Sequence, residues 1–243
     1  MCIRDRVTTS DDYPAEVNSI PKFSAVGVDF EAIVTLKPDL ILATDQVNSP
    51  KDAEMFDSLD IPIAYLRFTS LDDILEAIGT VGELAGTGPR ATEHAETLRQ
   101  ALDDLRATTS AAQRTPRVLF LISNDRLFGF GKDSYVHGMI DVAGGSSVSE
   151  EMDVTAPVFS DEYVIEQAPD VIVGAFQDGT TAADLLDLHP AWTTVPAIRN
   201  GRVYSIDPDV VLRPGPRVIE GAFRMALLLH PELFESDASI VRR

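Results

Sequence analysis

Two stretches of the chain carry the same order of polar and apolar positions. "DFEAIVTLKPDLILATDQ" starts at Asp29, and "DEYVIEQAPDVIVGAFQ" starts at Asp161. In each, apolar residues first recur at helical spacing, then a Pro-Asp pair breaks the pattern, then a short apolar run follows. Pro38 disfavours helix at Lys37 and so helps end the first helix. The run Leu40–Ala43 has the unbroken hydrophobicity of a strand covered on both faces. "AEMFDSLDIPIAYLRF" predicts a further helix and a strand around Ile61–Leu66. After the second copy, "LLDLHPAWTTVPAIRNGRVYSID" predicts helical material and a strand at Arg202–Ile206. Strands alternating with helices imply parallel βαβ units.

The repeat therefore predicts two Rossmann-like α/β lobes. Between them lies helical sequence. "SLDDILEAIGTVGELAG" has Leu71, Ile74, Leu75, Ile78, Val81 and Leu84 on one face, and Ser70 with Asp73 forms a capping-box pattern. "GTGP" interrupts it, and a long Ala-rich helix follows to about Gln113. Some 22 helical residues span about 33 Å, the width of a small domain, so this helix is expected as a strut between the lobes. "PRVLFLI" then opens the second lobe. The expected division is an N-terminal lobe over 7–87, a linker helix over 88–113 and a C-terminal lobe over 114–236. In open α/β sheets ligands bind beyond the C-terminal ends of the strands, so two such edges would face a cleft. The loops Thr44, Asp45, Gln46 and Phe176–Asp178 should line its rim.

Charge and candidate chemistry narrow the function. The formal net charge is −19, from 39 Asp and Glu against 20 Lys and Arg. Such a surface repels nucleic acid and anionic lipid. Only four of the basic residues are Lys, a composition suited to concentrated salt, where screening removes self-repulsion. The one cysteine, Cys2, excludes an internal disulfide and a Cys-based metal site. "SNDRLFGFGKDSYV" looks like a phosphate loop but lacks the third Gly of a dinucleotide fingerprint, and Asp133 follows Lys132 where a P-loop has Ser or Thr. The four histidines are scattered: His94 on the long helix, His189 and His230 before prolines, all three expected to be structural and solvent-facing, and His137. No bare-metal site is expected. No nucleophile elbow or Ser-His-Asp set is present, so the chain is read as a non-enzyme.

The order and spacing of several stretches resemble the substrate-binding proteins of ABC importers for iron-siderophores, haem and vitamin B12. These are "DDYPAEVNSIPKFSAVGVDFEAIVTLKPDLILA", "LDIPIAYLRFTSLDDILEAIGTVGELAG", "GKDSYVHGMIDVAGG", "VIEQAPDVIVGA" and "VPAIRNGRVYSIDPDVVLRPGPRVIEGAFRMALLLHPELF", together spanning about Val7 to Phe234. The resemblance implies two lobes joined by one helix and a chelate held in the cleft between them. That chelate would be a ferric siderophore, cobalamin or haem, with no other cofactor. Family members carry a further strand and helix, and an export signal, ahead of the segment matching "DDYP".

By the same resemblance Phe128 lies against the ligand in the cleft, and Phe130 either does so too or packs in the core. Arg213 and Asp209 point into it, Arg213 to fork onto a ligand acceptor, with a lobe-internal ion pair as the alternative. Arg217 is expected in a structural salt link or cap, and Pro216 in the first turn of the last helix. Tyr13 is a further wall, or a core residue. Trp192 packs in its own lobe. Acidic residues on each lobe would meet permease arginines, Asp52 or Glu54 on one and Asp178 or Asp184 on the other. The implied protein is a monomer outside the cytoplasm, periplasmic or on the cell surface with a lipid anchor, partnered by permease and ATPase subunits. A ligand sensor of a signalling system is the alternative, and a two-lobed α/β metal-cofactor enzyme a more distant one.

Overall fold

The computed structural model describes residues 6–24, 29–44, 48, 50–176 and 179–234. Strands β1 (Val7–Thr8) and β2 (Lys22–Phe23) pair in parallel. Helix α1 (Phe30–Leu36), strand β3 (Ile41–Thr44), helix α2 (Pro50–Asp57) and strand β4 (Ile63–Leu66) complete the N-terminal unit, and β3 pairs with β4 from Ile41↔Ile63 onward. Among the described residues the unit thus holds two separate two-stranded parallel sheets. Its core is small: Ile33, Phe56 and Ile61 are buried, with the Phe30 ring 4.9 Å from that of Phe56.

Two helices follow, α3 (Leu71–Leu84) and α4 (Gly88–Thr109). Ser70 and Asp73 form the expected capping box. Gly82 lets the two helices meet tightly at their turn, because a Cβ there would lie 2.1 Å from that of Ala91. The long helix stops at Thr109, short of the expected Gln113. Its last turn is Thr-Thr-Ser, and the Thr109 hydroxyl donates to the Val142 carbonyl at 2.9 Å, which docks the helix end on the C-terminal unit. Neither helix is a free strut. Leu71, Ile74 and Leu75 of α3 share one core with Leu102 and Leu105 of α4 and with the C-terminal unit. The packing of α3 thus crosses the division expected at 87.

The C-terminal unit contains β5 (Arg117–Leu121), α5 (Tyr135–Val142), β6 (Ser146–Ser147), α6 (Asp161–Gln167), β7 (Val171–Gly174), α7 (Ala182–Leu188), α8 (Pro196–Arg199), β8 (Val203–Ser205), α9 (Pro208–Val211) and α10 (Val218–Leu229). The strands form one parallel sheet in the order β6-β5-β7-β8. β5 and β7 are buried on both faces, as continuous apolar runs in parallel sheets require. A second apolar layer on the other face of this sheet includes Leu119, Ile172 and Trp192. Pro216 lies ahead of α10, whose N-cap is Arg217, rather than in its first turn.

Candidate functional site

The N-terminal segment and the loop before α10 meet. Arg213 lies just beyond α9, and Asp209 within it. The Arg213 guanidinium donates through Nη1 to the Ser10 carbonyl at 2.6 Å and through Nη2 to the Asp12 carboxylate at 2.9 Å. Its Nε pairs with Asp209 at 2.8 Å. One turn further on, Arg217 sits over the Tyr13 ring, Cζ to centroid 4.1 Å, a cation–π contact. Tyr13 is 61% exposed. Three residues expected at a cleft, Tyr13, Asp209 and Arg213, therefore converge across the two units, with Arg217 beside them. The lobe-internal ion pair, the alternative expected for Arg213, is present with Asp209. Arg213 is already paired, both within its own lobe and across to Asp12. Arg217 stands at the N-cap position of α10, and its guanidinium stacks on Tyr13.

The loops at the C-terminal ends of β5 and β7 are tied together. Asn124 Nδ2 donates to Thr180 Oγ1 at 2.9 Å, and the Ala175 amide donates to the Leu121 carbonyl. Phe128 lies in the first of these loops, half-buried, and bridges Val158 in antiparallel fashion. Phe130 takes the core alternative. Its ring packs 5.9 Å from Phe120 and 6.3 Å from Tyr135, against the main core. Phe176 is buried and not on the rim. The chain turns back on itself after β7, so the Phe176 ring fills the space where a Cβ on Gly174 would stand. Thr44 ends β3, half-buried, its amide donating to Asn48 Oδ1 at 3.2 Å. Asp45, Gln46 and Asp178 lie outside the described residues, as does the side chain of Asp52.

Glu54 is exposed on α2 and Asp184 on α7, one in each unit. Asp184 completes a capping box with Thr181, whose hydroxyl and then amide hydrogen bonds hold the Asp184 carboxyl below its usual range. Trp192 is fully buried in its own lobe, its Nε1 donating to Asp161 at 2.9 Å. His189 stacks on that ring at 4.4 Å and pairs with the same carboxylate at 2.8 Å, so it faces inward and not solvent. His230 is likewise buried, with Nε2 3.0 Å from the Gly144 carbonyl. His94 is the exposed one of the three. Among the described residues no three His, Cys, Asp or Glu are grouped to hold a metal ion, and no helix is long and apolar enough to cross a membrane. Two cavities, of about 330 and 190 Å³, lie elsewhere, where α5 meets the start of the C-terminal sheet and the α3–α4 pair.

Against known proteins, residues 5–210 match the periplasmic binding protein family. The chain belongs to that family. Among relatives, an uncharacterised ABC transporter substrate-binding lipoprotein of Bacillus subtilis is 29% identical over 94% of this chain and 74% of its own length. A vitamin B12-binding protein of Vibrio parahaemolyticus is 25% identical over 95% of this chain and 81% of its own. A periplasmic haem-binding protein solved with two haems superposes with a TM-score of 0.81 at 20% identity, covering 94% of this chain and 88% of the other. The last of these speaks to the fold, a two-lobed α/β architecture with parallel sheets. Tyr13 and Arg213 were visible as candidates in the sequence. Asp12 and Ser10 were not, because nothing local marks a residue whose partner lies about two hundred positions away.

Proposed function

We propose that this chain is the substrate-binding component of an ABC importer. It captures a metal chelate, a ferric siderophore, cobalamin or haem, between its lobes and delivers it outside the cytoplasm to a membrane permease served by an ATPase. One observation carries the reading. An exposed aromatic ring, Tyr13, is held by the Arg217 guanidinium where the N-terminal segment meets the C-terminal lobe. A flat ring backed by a cation suits a large ligand with an apolar face and polar edges. Phe128, half-buried in the loop at the C-terminal end of β5, supplies further apolar surface. The relatives support the class, since one is named as an ABC transporter substrate-binding lipoprotein and another as a vitamin B12-binding protein. The first name also supports a lipid anchor. Glu54 and Asp184, exposed on separate lobes, are the proposed contacts with permease arginines.

Titration with a ferric siderophore, cyanocobalamin and haemin, read by quenching of intrinsic fluorescence, tests the reading. One of the three is expected to bind saturably at one site per chain, and Tyr13→Ala should weaken it about tenfold, the worth of a stacking contact. Failure of all three to bind sinks the proposal.

A further inference from the structure

Resting on that reading, the junction also speaks to which chelate fits. Arg213 uses three of its donors on groups of the chain itself: the Ser10 carbonyl, the Asp12 carboxylate and the Asp209 carboxylate. Two carboxylates thus face this one guanidinium. Arg217, with no ion pair of its own among the described residues, sets its charge against the Tyr13 ring. The two cations are thus already met by two carboxylates before any ligand arrives, and Asp11 and Asp207 add further acid to the same two segments, within a chain of net charge −19. Asp12 comes from the N-terminal segment and Asp209 from α9, so the neutralisation is built across both units.

A ligand edged with carboxylates gains little here. It must displace Asp12 from Arg213, or pair with Arg217 only one turn away from the two carboxylates already there. A ligand edged with uncharged amides meets no such penalty, since its carbonyls accept from spare guanidinium N–H groups and its N–H groups donate to the carboxylates. We propose that Asp12 is a specificity-determining residue, an internal counter-ion that occupies Arg213 and biases the cleft towards an amide-rimmed corrinoid over a carboxylate-bearing porphyrin. The same charge that suppresses the porphyrin keeps Arg213 fixed against the N-terminal segment.

The test compares the dissociation constants of cyanocobalamin and haemin for the full chain and for Asp12→Asn, which keeps an acceptor for Nη2 and removes the charge. The wild type is expected to favour cobalamin. Asp12→Asn should shift the ratio towards haemin on the order of tenfold, the effect of turning one charge-assisted hydrogen bond into a neutral one. Asp209→Asn should move it the same way. The wild-type preference should shrink as salt is raised, because screening weakens a charge-based bias. A wild type that prefers haemin, or a ratio unmoved by both variants, overturns the proposal while leaving the chelate reading intact. Absence of binding to either ligand and to a ferric siderophore fails the underlying reading, and this proposal with it.

Discussion

Helices α1 and α6 each run seven residues, start from a side-chain cap, Asp29 or Ser160, and stop at a left-handed residue, Lys37 or Ala168. A Pro-Asp pair and a strand follow in both. The backbones agree almost residue for residue, yet the strands end in different surroundings. In β7 every residue is buried, between β5 and β8 in the four-stranded sheet. In β3 only Ala43 is buried, Leu42 is 48% exposed, and β4 is the sole strand paired with it among the described residues. The expectation that Leu40–Ala43 is covered on both faces fails for Leu42. One local code thus specifies helix, stop and strand in both places, while burial depends on what the rest of the chain brings to each face. Periodicity reports the first and is blind to the second.

The largest consequence is in local opening. Amides of β7 that bond into the sheet should exchange only on global unfolding, whereas those of β3 should open with their small lobe. Hydrogen exchange is expected to be at least about a hundredfold faster at Ala43 than at Val173. Equal protection would show that the two copies are energetically equivalent despite their different coverage.

Side-chain truncation sharpens the same contrast. Leu42 and Val173 hold matching positions, 48% exposed in one copy and fully buried in the other. Val173→Ala should cost about 2 kcal/mol, the loss of buried methyl groups with incomplete relaxation. Leu42→Ala should cost under about 1 kcal/mol, since half its surface already faces water. Urea denaturation curves with unchanged slope would measure both. A larger loss at Leu42 than at Val173 would break the comparison.

The capping boxes form a second matched pair. Asp73 opens α3 at 8% exposure, and Asp184 opens α7 on the exposed surface. Burial opposes ionisation of Asp73. Hydrogen bonds from the Thr69 hydroxyl and amide and from Arg67 outweigh it, and the carboxyl titrates below its usual range. A carboxylate with a depressed pKa contributes stability above its unfolded value of ~4, and loses it as pH falls through the folded value. Asp73→Ala should therefore cost about 1–2 kcal/mol at neutral pH, and the difference from wild type should close as pH falls below the ordinary carboxylate range. Asp184→Ala should show the same pH dependence with a smaller loss. A deficit for Asp73→Ala that persists unchanged in acid would point to packing instead of charge.

Much of this architecture was legible because it is written locally. The Ser70–Asp73 box, the stops before Pro38 and Pro169 and the apolar runs of β5 and β7 each sit within a few residues of their cause. The candidate site was legible only in outline. Tyr13, Arg213 and Asp209 were identified, but Arg213 finds Asp12 and Arg217 finds Tyr13 across about two hundred residues, and no spacing rule reaches that far. Phe176 is buried and Phe130 half-buried against the core for a related reason. An aromatic residue after a strand end reads the same whether the chain continues outward or folds back, as it does over Gly174. His189 and His230 looked like solvent-facing turn residues because a Pro follows each, yet Asp161 and the Gly144 carbonyl draw them in.

The smallest expected effect tests whether the two stops are equivalent. Lys37 has φ 50° and Ala168 has φ 44°, both left-handed conformations that cost a residue with a Cβ roughly 1–2 kcal/mol. Each is imposed from both sides. The helix must end so that the strand can enter the sheet, and the proline that follows disfavours the right-handed helical region. Glycine removes the Cβ penalty but frees the unfolded chain, so the net gain is about 0.5 kcal/mol. Lys37→Gly and Ala168→Gly should each raise the unfolding midpoint slightly. If unfolding is cooperative across the molecule, the two gains should be equal, because the strain relieved is the same backbone strain. If the N-terminal lobe opens on its own, Lys37→Gly should slow exchange in β3 without moving the main transition, and Ala168→Gly should move the main transition alone. A loss of stability from either substitution would show that the left-handed turn is held by the side chain, through the Lys37 stem or the Ala168 methyl, and not merely tolerated by it.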